Sequence, residues 1–249
     1  MDPTLSGKTS SRQPKPCPEC ADTGYRIIQQ DGVDVAQRCS CRQRDLIRRR
    51  LLGSGIPERY RHCDLDGFLT QNPSLLQALE QTRRLVHTGP GSDAGLIFCG
   101  PCGVGKTHLA VAALRAMVER YGVRGLFFEF GTLLRRIQDT YDRRSETPSW
   151  AVIGPTIEAD LLVLDDLGAT RSTPWVLDTL GLIVGERYNR NRMTLFTTNR
   201  PEHSPKGQSE TLADRVGERL ASRLAEMCRT VVMDGPDFRK SIRAAAHRI

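Results

Sequence analysis

Beyond residue 95 the chain alternates short apolar runs with longer stretches of helical period. The runs are Leu96–Cys99, Leu126–Phe130, Leu161–Asp165, Thr194–Thr198 and Val231–Met233. They are too short for helices and largely uninterrupted by charge, the pattern of strands covered on both faces. Between them, Leu109–Arg120, Pro174–Arg190 and Leu212–Met227 space apolar residues three and four apart, which predicts helices with one buried stripe. Strands alternating with helices predict an α/β domain on a five-stranded, parallel, doubly wound sheet. Ser145–Pro155 is rich in turn residues and reads as a loop.

The first 45 residues break this rhythm. They hold four of the eight cysteines, Cys17, Cys20, Cys39 and Cys41, with several prolines and little helical period. Arg42–Arg50 carries five arginines against one aspartate and predicts a basic connecting helix, which Gly53-Ser54-Gly55 breaks. The expected organisation is a small module over 1–45, a linker over 46–67 and a large domain over 68–249. Within the module, Tyr25–Gln29 and Val33–Arg38 alternate weakly around Asp31-Gly32, a hairpin signal. A hairpin brings the two thiol pairs together, and four thiolates suit a tetrahedral, structural Zn²⁺.

Composition narrows the setting. With 39% apolar and 26% charged residues, the 249-residue chain is ordinary for a soluble globular protein. No apolar run approaches the roughly 18 residues of a membrane span, and the N-terminus lacks the apolar stretch of a secretory signal. The expectation is a cytoplasmic protein with no membrane contact. Cysteines there are expected as metal ligands or buried thiols rather than disulfides, and Cys63, Cys99, Cys102 and Cys228 read as buried or incidental thiols. Lys and Arg number 36 against 29 Asp and Glu, and this +7 balance favours a polyanionic partner.

Gly100-Pro101-Cys102-Gly103-Val104-Gly105-Lys106-Thr107 fits G-x-x-x-x-G-K-[ST] between a predicted strand and a predicted helix. Such a loop wraps phosphate in backbone N–H groups at a helix N-terminus. Lys106 is expected to reach the β- and γ-phosphates of ATP and Thr107 to hold Mg²⁺. Asp165 and Asp166 end an apolar strand at the sheet edge where ligands bind in parallel sheets. Asp165 is read as a second Mg²⁺ ligand and Asp166 as the group that orients or deprotonates the attacking water. Asn199, after the next strand, is read as a contact to that water or the γ-phosphate. On Leu212–Met227, Arg215, Arg219 and Arg223 form a stripe beside the apolar one. It reads either as a solvated basic face or as the source of an arginine for a neighbouring subunit's nucleotide. Arg239 is placed to reach the phosphates within its own subunit.

Together, FCGPCGVGKTHLA, LLVLDDLGA, FTTN and GERLASRLAEMCR followed by GPDFR resemble the DnaC/IstB group of AAA+ ATPases, over about residues 54–240. That group contains replicative helicase loaders and the helper ATPases of IS21-type transposons. The resemblance implies an AAA+ P-loop NTPase fold preceded by the zinc module. It implies that the Gly55–Tyr60 stretch packs on adenine through Ile56 and Tyr60, that Asn199 is the first sensor, Arg223 the arginine finger and Arg239 the second sensor. It further implies single-stranded DNA binding by a helix starting at Gly131 that carries Arg135, Arg136, Arg143 and Arg144. The N-terminal module is similar to the helicase-contacting domain of DnaI-type loaders. The implied function is ATP-dependent loading of a replicative ring helicase onto single-stranded DNA by a homo-oligomer; the alternative is a transposition helper that assembles on DNA and recruits a transposase. Generic AAA+ enzymes carry Asp-Glu where this chain has Asp165-Asp166, and the shorter side chain implies slow, assembly-dependent hydrolysis.

Overall fold

The computed structural model describes residues 16–91, 94–141, 148–204 and 210–240. The chain divides into two compact units, Met1–Arg48 and Arg49–Ile249.

In the first unit, β1 (Tyr25–Gln30) and β2 (Val33–Arg38) pair antiparallel from Tyr25↔Arg38 to Gln30↔Val33. The turn residues Asp31 and Gly32 both have positive φ, 53° and 78°, as a two-residue turn matched to strand twist requires. Helix α1 (Ser40–Leu52) starts before the basic stretch and runs past it, across the division between the units. None of its side chains is buried.

In the second unit, after the end of α1 and a 3₁₀ turn at Glu58–Tyr60, comes α2 (Pro73–Thr88), which no strand–helix rhythm announces. Its start is nonetheless conventional: Asn72 accepts from the Leu75 N–H and Pro73 occupies the first turn. There follow β3 (Gly95–Cys99), α3 (Lys106–Tyr121), β4 (Gly125–Glu129), α4 (Phe130–Asp139), α5 (Ser149–Glu158), β5 (Leu161–Asp165), α6 (Pro174–Asn189), β6 (Met193–Thr198), α7 (Leu212–Val216), α8 (Glu218–Met227) and β7 (Cys228–Val232). The five strands are all parallel, in the order β4-β5-β6-β3-β7.

Two expectations need correction. The stretch Ser145–Pro155 is not all loop: α5 begins at Ser149, because Ile153 and Ile157 bury against the core. Leu212–Met227 is not one helix. Gly217, at φ 85°, separates α7 from α8, so the arginine stripe is split between Arg215 on α7 and Arg219 and Arg223 on α8. Helix α4 starts at Phe130 and carries Arg135 and Arg136, whereas the expected DNA contacts Arg143 and Arg144 lie outside the described residues.

Leu162 and Leu164 of β5 and Phe196 of β6 join a core with Phe130, Leu133 and Ile137 of α4, Ile157 of α5 and Ile183 of α6. Side chains alternate faces along a strand, so Leu161, Val163 and Asp165 point to the opposite side, where α3 packs. Arg187 of α6 is fully buried, and donates to the carbonyls of Thr156, Ile157, Ala159 and Met193 and to Thr194 Oγ1. It closes the end of α5 onto β6, a structural use of an arginine that its sequence context does not signal.

Candidate functional site

The loop from Gly100 to Thr107 joins β3 to α3 at the C-terminal edge of the sheet. Lys106 is buried, and its Nζ donates to the loop's own carbonyls at Gly100 (2.8 Å) and Pro101 (2.7 Å). Burial pushes its pKa down, against the pull of the nearby Cys102 and Asp166. Gly105 has φ 108°, and a Cβ there would stand 2.7 Å from the Phe68 ring. Glycine therefore serves both the backbone conformation and the close approach. Gly103 has φ 80° and carries the Asp237 carboxylate directly over its Cα, while the Phe238 N–H donates to the Gly103 carbonyl. The Gly235–Arg239 segment is thus fastened to the loop.

A cavity of about 430 Å³ opens beside the loop, bounded by Lys106, Thr107, Tyr60, Phe68, Phe238 and Arg239. It brings together residues from three distant stretches of chain, and its lining combines aromatic rings with the cations Lys106 and Arg239. Of the two residues expected at the adenine, Tyr60 lines this cavity; Ile56 is buried and does not. Phe68 and Phe238 line it without having been singled out in the sequence. Val104 is buried, whereas Pro101 and Cys102 are exposed.

At the end of β5, Asp165 Oδ1 accepts from Thr107 Oγ1 (2.9 Å) and Thr197 Oγ1 (2.6 Å). The strand's alternation explains the contact, since Asp165 faces α3 and Thr107 lies in its first turn. Asp166 departs from the strand at φ 61°, a left-handed conformation uncommon for a non-glycine residue and frequent at functional sites. Its N–H donates to Thr197 Oγ1 (2.9 Å), and Asn199 Nδ2 donates to its Oδ1 (3.2 Å). Asp165, Asp166 and Asn199 are therefore one hydrogen-bonded group adjoining the loop through Thr107. Glu129, in register with Asp165 on β4, adds a third carboxylate at this edge, capping α4 through the Gly131 and Thr132 N–H groups.

Burial holds the Asp165 carboxyl above the usual carboxylate range; Thr197 and Thr107 pull it down, and Asp166 and Glu129 add to the upward push. A carboxyl whose folded pKa is raised binds its proton more tightly folded than unfolded. Its ionised form therefore costs stability as pH rises through the carboxylate range. Asp165→Asn is expected to melt higher than wild type at neutral pH without nucleotide, by a few degrees at about 2–4 °C per kcal/mol, and to lose the added stabilisation by Mg²⁺ with ATP. Thermal melts with and without Mg²⁺ and ATP check both; a lower melting point without ligand refutes the electrostatic account.

The three arginines of the expected stripe have different surroundings. Arg215 is paired with Glu210 at 2.6 Å. Arg219 is exposed. Arg223 is half-buried, with its guanidinium against α6, 5.9 Å from the Tyr188 ring centre. Arg135 and Arg136 are exposed on α4, and Arg136 lies 5.8 Å from the Phe128 ring centre.

In the first unit the hairpin gathers Cys17, Cys20, Cys39 and Cys41 so that their Sγ atoms all lie within 4.8 Å of one another. Cys17 and Cys39 are 3.8 Å apart, and Cys20 and Cys41 3.4 Å. Tetrahedral Zn²⁺ with bonds of about 2.3 Å places its sulfurs about 3.8 Å apart, so the four thiols fit that ion. Burial raises the Cys20 pKa, but hydrogen bonds from Cys41 and the Gly24 N–H outweigh it and bring the thiol to about 7. Glu19 accepts from Ser40 Oγ and Cys39 Sγ and supports the cluster from outside. Purified protein is expected to carry one Zn²⁺ per chain, and Cys39→Ser with Cys41→Ser to carry none, by elemental analysis. Chelation is expected to unfold the hairpin unit while the parallel-sheet unit keeps its melting transition.

Residues 76–246 match the family profile described as IstB-like ATP binding protein. The chain belongs to this family. A crystal structure of the DnaC helicase loader is 36% identical, with a TM-score of 0.63 over 72% of this chain and all of that one. The replicative helicase loader DnaC of Escherichia coli (strain K12) is 27% identical over 171 residues, 69% of this chain and 66% of that protein. The phage-like element PBSX protein XkdC of Bacillus subtilis (strain 168) is 25% identical over 244 residues, 94% of this chain and 84% of that protein. The chain thus spans just under two thirds of the E. coli loader's length. The IstB-like match begins at residue 76, inside the parallel-sheet unit, and leaves the four-cysteine module outside it. Among the described residues no helix is long and apolar enough to cross a membrane.

Proposed function

We propose that this IstB-like protein binds and slowly hydrolyses ATP, and that it uses ATP to load a replicative ring helicase onto single-stranded DNA. The observation that carries this reading is the likeness to the DnaC loader structure over that chain's whole length. The proposed architecture keeps the zinc module over 1–45, the linker over 46–67 and the AAA+ domain over 68–249.

Each side chain has a part that its position supports. The Lys106 ammonium, held on two carbonyls beside the loop, transfers to the β- and γ-phosphates when they enter. Tyr60, Phe68 and Phe238 supply apolar and aromatic surface for the base. Thr107 and Asp165, already joined, would hold Mg²⁺, which neutralises charge on the phosphates. Asp166, oriented by Asn199, positions the attacking water. Arg239 meets the phosphates from its own subunit. Arg223 of α8, whose guanidinium lies beside the Tyr188 ring, meets them from the next. Arg135 and Arg136 offer phosphate contacts to single-stranded DNA, and the zinc module is the proposed helicase contact.

The family profile itself favours a second reading, the IS21-type transposition helper. The two differ in DNA and partner. The loader reading expects ATP-dependent preference for single-stranded over duplex oligonucleotides, and transfer of a purified replicative helicase ring onto a closed single-stranded circle. Preference for duplex DNA with no such transfer supports the transposition reading and refutes the loader.

A further inference from the structure

Helix α6 carries two glycines one turn apart, although a mid-helix glycine costs about 1 kcal/mol relative to alanine. They are not equivalent. A Cβ on Gly181 would meet nothing within 4 Å, whereas one on Gly185 would stand 3.2 Å from Arg223 Nη1. The bare Cα at 185 leaves room for the guanidinium against the helix: a Cβ would crowd it by a few tenths of an ångström, and a longer side chain would take its place. Three residues on, and so on the same side of α6, the Tyr188 ring lies 5.9 Å from Arg223 Cζ, within cation–π range. That ring is itself tied down: the Tyr188 hydroxyl donates to Glu226 Oε1 at 2.9 Å, and Glu226 is one turn beyond Arg223 on α8. The hydrogen bond to Glu226 raises the Tyr188 pKa, so the phenol stays neutral and keeps donating.

We propose that Gly185 and Tyr188 form a seat that positions the Arg223 guanidinium for the nucleotide of a neighbouring subunit; the inference rests on the reading of Arg223 given above. The chemistry of the seat suits that task. An ion pair such as Arg215–Glu210 neutralises its arginine and must be broken before the charge acts elsewhere. A glycine groove and an aromatic ring orient a guanidinium while leaving its full charge and its N–H donors free. A cation–π contact at an exposed site is worth only about 0.5–1 kcal/mol, enough to bias the side chain and small enough to adjust when a phosphate arrives. Gly185 and Tyr188 are thus positioning residues, acting through Arg223.

The test measures maximal ATP turnover of the full-length protein at saturating ATP and single-stranded DNA, with fluorescent-ATP affinity and melting temperature alongside. Gly185→Leu displaces the guanidinium, and Gly181→Leu makes the same change one turn away into open space. Both raise helix propensity, and the melting temperature reports any loss of fold. Tyr188→Ala removes the ring, and Tyr188→Phe keeps it. Misplacement of a reacting group costs up to about a hundredfold, so Gly185→Leu and Tyr188→Ala are expected to lower turnover about tenfold, with ATP affinity within about twofold of wild type. Gly181→Leu is expected to stay near wild type, and Tyr188→Phe, which keeps the ring but loses its tie to Glu226, to fall between wild type and Tyr188→Ala. Equal losses in the two leucine variants, or wild-type turnover in Gly185→Leu, overturn the seat. Arg223→Ala separates the two levels of inference. If it is inactive while Gly185→Leu is fully active, the seat alone is wrong; if it is fully active, the reading of Arg223 fails and the seat with it.

Discussion

Lys106→Ala is expected to bind ATP about a hundredfold or more weakly than wild type, the equivalent of about 3 kcal/mol at 1.4 kcal/mol per tenfold. In the structure the lysine is a buried cation whose only described hydrogen-bond partners are two backbone carbonyls, Gly100 and Pro101. Burial lowers its pKa, which means the charged form is held at some cost. Phosphate oxygens are stronger acceptors than carbonyls and bring opposite charge, so binding relieves that cost as well as adding charge-assisted hydrogen bonds. Two measurements should move in opposite directions. Without nucleotide, the alanine variant should melt at or slightly above wild type, because a desolvated charge has gone. With ATP, wild type should gain stability as the logarithm of ligand over Kd, and the variant should gain almost none. Equal affinity of the two proteins for fluorescent ATP removes the phosphate-binding role from this loop. A variant that melts well below wild type without nucleotide shows instead that Lys106 serves the fold.

How far the sequence discloses this site depends on whether each residue's role is local. The loop, the strand ending in Asp165 and the cysteine pairs are short-range patterns, and the structure brings each set together. Burial on both faces makes β5 and β6 continuous apolar runs that stand out against their surroundings. The edge strand β7, CRTVV, has an exposed Arg229 and Val232, so its apolar pattern starts late and its first residue is misjudged. Helix α5 hides behind Pro148, Gly154 and Pro155, residues that usually mark loops, and only the burial of Ile153 and Ile157 reveals it. The break at Gly217 hides for the opposite reason: Leu212, Val216, Leu220 and Leu224 keep their spacing through it and all stay buried. Phe68 and Phe238 line the cavity beside the glycine-rich loop from opposite ends of the domain, and the pairing of Gly185 with Arg223 links two helices. No periodicity within either segment encodes such meetings. They exist only once the sheet has set which loops share an edge and which helices share a face.

Arg223→Ala is expected to bind ATP as wild type does and to lose turnover about a thousandfold, the lower end of the effect of an arginine supplied to a phosphoryl group in trans. Binding should survive because the variant's own pocket keeps Lys106, Thr107 and Arg239. Turnover should fail because no other arginine of the expected stripe can substitute. Arg215 is committed to Glu210, and Arg219 stands exposed without a seat. Supply in trans also makes hydrolysis a property of the assembly, so wild-type turnover per subunit should rise with protein concentration until assembly saturates. The decisive measurement is a mixture. Lys106→Ala subunits cannot bind ATP tightly but still carry Arg223, while Arg223→Ala subunits bind ATP but cannot donate. At an interface formed by one of each, in the productive order, an intact pocket meets an intact arginine, and activity should reappear although each variant alone is inactive. Because Asp165-Asp166 chemistry is expected to be slow, the mixture is assayed with single-stranded DNA present, under conditions in which wild type turns over measurably. If the mixture stays inactive there while both variants still assemble with wild type, Arg223 does not act across the subunit boundary.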